Sequence, residues 1–171
     1  ALQKDPDNIA ALSHLAYQLS QKGDSKQALP LLEKALSLGR DDGWLYAQLG
    51  YDYSEVNDYD KAVQYYEKAA PIHNDPFWVK TQLGWNLAAG GHKEEALEVY
   101  FKLLEEQPEN GWVLAQIAWN QVRMDQLESA RENYSKALAT GIHEIWIWSD
   151  CAWLHHRLGA YDQELEYLQK A

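Results

Sequence analysis

Cysteine occurs once in the 171-residue chain, at Cys151, so no internal disulfide can form and packing alone has to hold the fold. That usage suits a reducing compartment, and a cytoplasmic setting is the expectation. Long apolar runs are missing too. Nothing approaches the roughly 18–20 uninterrupted apolar residues of a membrane-spanning helix, and Ala1-Leu2-Gln3-Lys4-Asp5-Pro6 lacks the apolar centre of a signal peptide. Basic residues are scarce, 15 Lys+Arg against 26 Asp+Glu, for a formal charge of −11. Nucleic-acid affinity comes largely from Lys and Arg displacing counterions, so DNA and RNA are poor partners and a basic protein or peptide is a better one. No G-x-x-x-x-G-K-[ST] run cradles a phosphate, and no nucleophile, base or carboxylate pair specifies a reaction, so neither an enzyme nor a cofactor is expected.

Phenylalanine is almost absent as well, 2 residues against 8 Trp and 11 Tyr. Rings with a polar tip suit half-exposed surfaces and binding faces. With 46% hydrophobic and 24% charged residues, the chain reads as folded rather than disordered.

A fixed period then organises the sequence. Leu49-Gly50 and Leu83-Gly84 stand 34 residues apart, and the same step reaches Leu15-Ala16, Ile117-Ala118 and Cys151-Ala152. Ala28, Ala62, Ala96 and Ala130 keep the beat, broken last by Glu164, as do Leu32, Tyr66, Tyr100, Tyr134 and Leu168. Apolar residues recur at three- and four-residue steps in two segments per unit, the helical signature, separated by polar turns such as Gly23-Asp24, Asn57-Asp58 and Gly91-His92. Asp75-Pro76 reads as an N-cap followed by proline at the first helical position. Pro30 falls one turn inside a second helix, and Pro71 should end its helix near Ala70.

Leu49-Gly50, Tyr53, Tyr59, Ala62, Tyr66 and Ala69, with Leu83-Gly84, Ala96, Tyr100 and Pro108, resemble the tetratricopeptide repeat family. The resemblance runs the length of the chain. It implies an all-α fold, a right-handed α-solenoid of 34-residue helix-turn-helix repeats with a concave groove lined by each first helix. The expected units are 9–42, 43–76, 77–110, 111–144 and an incomplete 145–171, with 1–8 as the end of a preceding repeat. Arrays usually finish with a polar capping helix, and none is evident, so a segment of a longer array with possible end-to-end self-association is expected.

The tryptophans follow the register. Second positions read Ala10, Trp44, Trp78, Trp112 and Trp146; fifth positions Ser13, Ala47, Thr81, Ala115 and Ser149; ninth positions Tyr17, Tyr51, Trp85, Trp119 and Trp153. Steps of three, four and seven put these on one side of the first helix, the side that the resemblance turns toward the groove. Either the rings grip a peptide, or each fills a notch in its neighbour and fixes the stack. Sixth positions read His14, Gln48, Gln82, Gln116 and Asp150, so Gln82 and Gln116 offer amides to a peptide backbone or are simply polar surface. At the thirteenth position Gln21, Glu55 and Ala89 give way to Arg123 and Arg157, one turn from Trp119 and Trp153. These cations could receive a carboxylate, or form surface salt bridges, with Asp150 a candidate partner. The family's clamp for a C-terminal carboxylate needs Lys, Asn and Arg where this chain has small and aromatic residues, so that mode is excluded. Cys151 and His155 share a helix face, but two ligands do not make a zinc site and packing is the better reading.

The expected function is a protein-interaction scaffold whose Trp/Tyr groove holds a peptide or helix. The other class is a regulatory or self-assembly segment of a larger multidomain enzyme or effector, its groove filled by its own chain or its rings purely structural.

Overall fold

Short polar side chains start the first helices. The computed structural model describes residues 5–171, so Ala1 to Lys4 of the expected preceding repeat lie outside the described residues. Among the described residues every regular element is a helix, and the described chain divides into two compact units, one ending at His92 and the other Lys93–Ala171.

The first unit contains α1 (Ile9–Ser20), α2 (Ser25–Ser37), α3 (Gly43–Glu55), α4 (Tyr59–Ala69) and α5 (Pro76–Ala89). Asn8 caps α1 by accepting from the Ala11 N–H at 2.9 Å, and Asp42 caps α3 from Leu45 at 2.8 Å. One repeat further on, Pro76 occupies the cap register. The cap moves back one residue to Asp75, which accepts from Trp78 N–H at 2.9 Å, with proline at the first helical position. Pro30 is accommodated inside α2, and Pro71 lies just beyond α4, which ends at Ala69.

The turn between the helices of each pair carries one left-handed residue at a fixed register. Gly23, Gly91 and Gly159 fill it at φ 80°, 97° and 73°, and Asn57 and Asp125 fill it at 62° and 61°. Asn and Asp tolerate that conformation better than other side chains, which is why the period survives their substitution for glycine.

Apolar packing follows the alanine and aromatic series. Ala28, Leu32, Leu49, Ala62 and Tyr66 are fully buried in the first unit. A Cβ on Gly50 would meet the Tyr66 ring at 3.0 Å, so this glycine lets α3 approach the ring on α4. Beside this core sits a buried polar junction. The Asp52 carboxylate, with no exposed surface, accepts from Ser20 Oγ at 2.7 Å, Ser25 Oγ at 2.6 Å and Gln48 Nε2 at 3.1 Å. Three donors offset the desolvation that a buried charge would otherwise suffer.

The second unit contains α6 (Lys93–Glu106), α7 (Gly111–Arg123), α8 (Leu127–Ala139), α9 (Ile145–Arg157) and α10 (Tyr161–Lys170). Leu114, Ala118, Ala130, Tyr134, Ala137, Ile147, Cys151 and Leu154 form its buried cluster. On α10, Tyr161, Leu165 and Leu168 are exposed, although Leu168 holds the register at which Leu32, Tyr66, Tyr100 and Tyr134 are buried.

Candidate functional site

In the first unit one face of α1, α3 and α5 encloses a pocket of about 240 Å³. Tyr17 comes from α1, Trp44 and Tyr51 from α3, Trp78 from the first turn of α5, and His73 from the loop before it; Gln21, Ala47 and Gln48 complete the lining. The seven-residue step between Trp44 and Tyr51 sets two rings on the same side of α3, and the small Ala47 between them leaves the recess. Tyr17 and Trp44 stand with ring centroids 6.2 Å apart, tilted by 53°. Trp78 meets His73 at 5.7 Å and stands edge to face with buried Tyr66 at 6.4 Å and 81°. Two of these rings are substantially open, Tyr17 at 42% and Trp78 at 38% exposed.

His73 was not singled out from the sequence. Its register is that of Gly39 and Gly141, both with positive φ, which His73 does not share. Because Pro71 ends α4 early, the chain instead continues in a turn in which the His73 N–H donates to the Ala69 carbonyl at 2.9 Å. The Asp75 N–H then donates to His73 Nδ1 at 3.0 Å, fixing the ring. Gly43, at the start of α3, lets this loop close. A Cβ there would stand 2.7 Å from His73 Cα and 2.8 Å from the Ile72 carbonyl oxygen.

Two polar features shape the pocket. Gln48 donates one of its two amide N–H groups to Asp52, which leaves the side chain a second N–H and the amide oxygen. Burial first, and then the carboxylates of Glu55 and Asp52, hold the Tyr51 phenol above its ordinary titration range, so this wall lies in a negative field. The Arg40 guanidinium covers Trp44 at 4.5 Å from the ring centroid, and its Nε donates to Asp42 at 2.8 Å.

The remaining residues singled out from the sequence are distributed as follows. Trp85 is 37% exposed, with Tyr59 against it at 6.0 Å and 73°, and half-buried Gln82 accepts from Asn86 through its backbone carbonyl. In the second unit Trp112 meets Tyr100 edge to face at 6.2 Å, and Trp146 packs against the buried cluster. Gln116 is only 8% exposed, a poor position from which to reach a peptide backbone. Arg123 stacks over Trp119 at 4.5 Å, and Arg157 over the 46%-exposed Trp153 at 5.1 Å. Arg157 also bridges to Asp125 at 2.7 Å, not to Asp150, which accepts instead from the Tyr134 hydroxyl at 3.0 Å.

A larger cavity of about 440 Å³ lies in the second unit between α8, α9 and α10, lined by Tyr134, Cys151, His155 and Tyr167 among others. Its chemistry is muted. Burial and the nearby Asp150 push the Cys151 thiol up to about 12, so it is not a thiolate at neutral pH. His155 Nδ1 lies 2.8 Å from the Cys151 carbonyl, and its ring rests against Tyr167 at 4.9 Å. Among the described residues no group of three or more His, Cys, Asp or Glu gathers into a metal-binding arrangement. Nor is any described helix long and apolar enough to cross a membrane.

Comparison with known proteins gives a partial family match and a shared fold. The tetratricopeptide repeat family model matches residues 7–75. Among solved structures, MamA (residues 41 to the end) from Desulfovibrio magneticus RS-1 superposes with a TM-score of 0.81 at 18% identity, over 95% of this chain and 92% of that one. PilW, a widely conserved type IV pilus biogenesis factor, gives 0.82 at 20% identity, over 97% and 77%. YrrB, described as a tetratricopeptide-repeat protein with an unusual peptide-binding site, gives 0.71 at 18% identity, over 99% and 88%. No curated protein matches the chain in sequence. The chain thus carries a tetratricopeptide-repeat match in residues 7–75 and shares the fold of these solved structures.

Proposed function

We propose that this protein is an interaction module that holds a peptide or helix of a partner protein against the first-helix face, with binding rather than catalysis as its work. The observation that carries the reading is the aromatic pocket of Tyr17, Trp44, Tyr51 and Trp78. Rings held on helices lose little conformational freedom when a ligand arrives, and half-open aromatic clusters are where binding energy concentrates. The fold supports the same reading by analogy, as does the peptide-binding site named for YrrB. The charge of −11 favours a protein partner over nucleic acid. In the second unit, Trp119 with Arg123 and Trp153 with Arg157 form a separate set of cation-covered rings at the same register.

The test removes open rings that the core can spare. Tyr17→Ala and Trp78→Ala, assayed against peptides selected on the intact chain, should each weaken binding by on the order of 2 kcal/mol while far-ultraviolet circular dichroism stays unchanged. Unaltered affinity in both folded variants would remove the pocket from the binding surface.

A further inference from the structure

Resting on the reading of this face as a peptide site, we infer that the pocket takes a basic side chain, an arginine or lysine of the bound segment. Aromatic ring faces attract cations through their quadrupole, most strongly for tryptophan. The chain shows this pairing at work on its own rings. Arg40 covers Trp44 at 4.5 Å, Lys61 covers Tyr53 at 4.7 Å, Arg123 covers Trp119 at 4.5 Å and Lys170 covers Trp148 at 5.1 Å.

The polar fittings of the pocket point the same way. Gln48 donates one amide N–H to Asp52, and its amide oxygen remains an acceptor that a guanidinium or ammonium donor can use. Glu55 stands one turn beyond Tyr51 at the groove register, and with Asp52 it keeps that wall negative. Arg40 is the nearby positive charge that would oppose a cation, and its ion pair with Asp42 offsets it. A volume of about 240 Å³ accepts one long side chain, whose methylene stem would lie along the rings. An apolar occupant would use the ring faces but none of these charges. At longer range the net charge of −11 draws basic segments in.

The experiment is selection of random twelve-residue display peptides on the immobilised full chain, followed by affinity measurement on synthetic copies. Enriched peptides are expected to share an Arg or Lys at one position, and replacing that Arg by citrulline, its uncharged isostere, should weaken binding at least tenfold. Glu55→Gln should weaken the Arg peptide several-fold and leave the citrulline peptide unchanged. Trp78→Leu, with Tyr17→Leu as a second variant should the first lose helicity, should weaken both. Peptides that enrich without a basic position, or that bind equally as citrulline versions, yet still depend on Trp78 or Tyr17, overturn the cation preference alone. Peptides indifferent to both rings, or no enrichment at all, overturn the pocket as a peptide site as well.

Discussion

Replacing Gly43 by alanine probes the contact that shapes the pocket from below. The new methyl would stand 2.7 Å from His73 Cα, 2.8 Å from His73 N and 2.8 Å from the Ile72 oxygen, against an ordinary contact of 3.4–4 Å. All three neighbours are backbone, so no rotamer change relieves the clash, and α3 and the loop must part by several tenths of an ångström. Overpacking of this kind costs about 1–3 kcal/mol, offset by the roughly 0.5–1 kcal/mol that alanine gains over glycine in a helix. The net expectation is a loss of about 1–2 kcal/mol, read by thermal or urea unfolding as a fall in Tm of roughly 3–6 °C. Because His73 and Trp78 move with the loop, affinity for a pocket-dependent peptide should fall as well. Gly111 supplies the control at the same register. There the Cβ would meet Thr140 Oγ1 at 2.1 Å, a side chain that can rotate away by giving up its 2.7 Å bond to the Ala137 carbonyl. Gly111→Ala combined with Thr140→Ala should therefore recover most of the single-variant loss, while no side-chain truncation rescues Gly43→Ala. A Gly43→Ala protein as stable as the parent would refute the rigid backbone contact.

Two further outcomes concern the second unit. Tyr134 donates to Asp150 at 3.0 Å, whereas the equally buried Tyr100 hydroxyl has no hydrogen-bond partner among the described residues. Tyr134→Phe should therefore cost about 1–2 kcal/mol in urea unfolding and Tyr100→Phe nothing or a slight gain; equal losses would contradict the assignment. Burial raises the Asp150 carboxyl above its ordinary range, more than the Tyr134 bond lowers it. The folded state then holds that proton more tightly than the unfolded state. Its stabilising contribution is full below the unfolded carboxylate pKa of about 4 and is lost as pH rises through the higher folded value. Asp150→Asn keeps an acceptor for Tyr134 and removes the charge, so its Tm should exceed the parent's at pH 7, the gap closing as pH falls toward about 4. A gap that widens on acidification would reverse the sign of the reasoning.

The repeat was legible because it is written in volume. Ala28, Ala62, Ala96 and Ala130 are fully buried, and Leu32, Tyr66, Tyr100 and Tyr134 fill the facing space, so each unit states the same steric demand at the same interval. Pro71 announced the end of α4 for an equally local reason. Polar long-range pairings carry no such interval. Asp52 finds Ser20 and Ser25 at separations of 32 and 27 residues, and nothing periodic links an aspartate in one unit to two serines in the previous one. At the same register the next units have Asn86 and Asn120, fully buried and donating to the Gln82 and Gln116 carbonyls, and the last has apolar Leu154. The junction thus changes from charged to amide to hydrocarbon while the backbone path persists. His73 was hidden by the opposite cause: proline rerouted the loop, so its register position misdescribed it.

Whether the tryptophans serve packing or binding is a choice that the ring geometry dissolves. An indole has two faces and an edge, and packing needs only some of them. Trp78 packs edge to face with Tyr66 and still leaves 38% of its surface open. Trp44 carries Arg40 on its ring and Tyr17 beside it, and still lines the recess over Ala47. Packing on one side is what immobilises the ring, and an immobilised ring binds with less entropic loss than a free one. The second unit follows the same rule. Arg123 and Arg157 stack over Trp119 and Trp153, as Arg40 stacks over Trp44, and Trp153 is still 46% exposed. What differs at this register is the source of the cation: in the second unit it comes from the thirteenth position, Arg123 and Arg157, where the first unit has Gln21, Glu55 and Ala89 and Trp44 is covered by Arg40 instead.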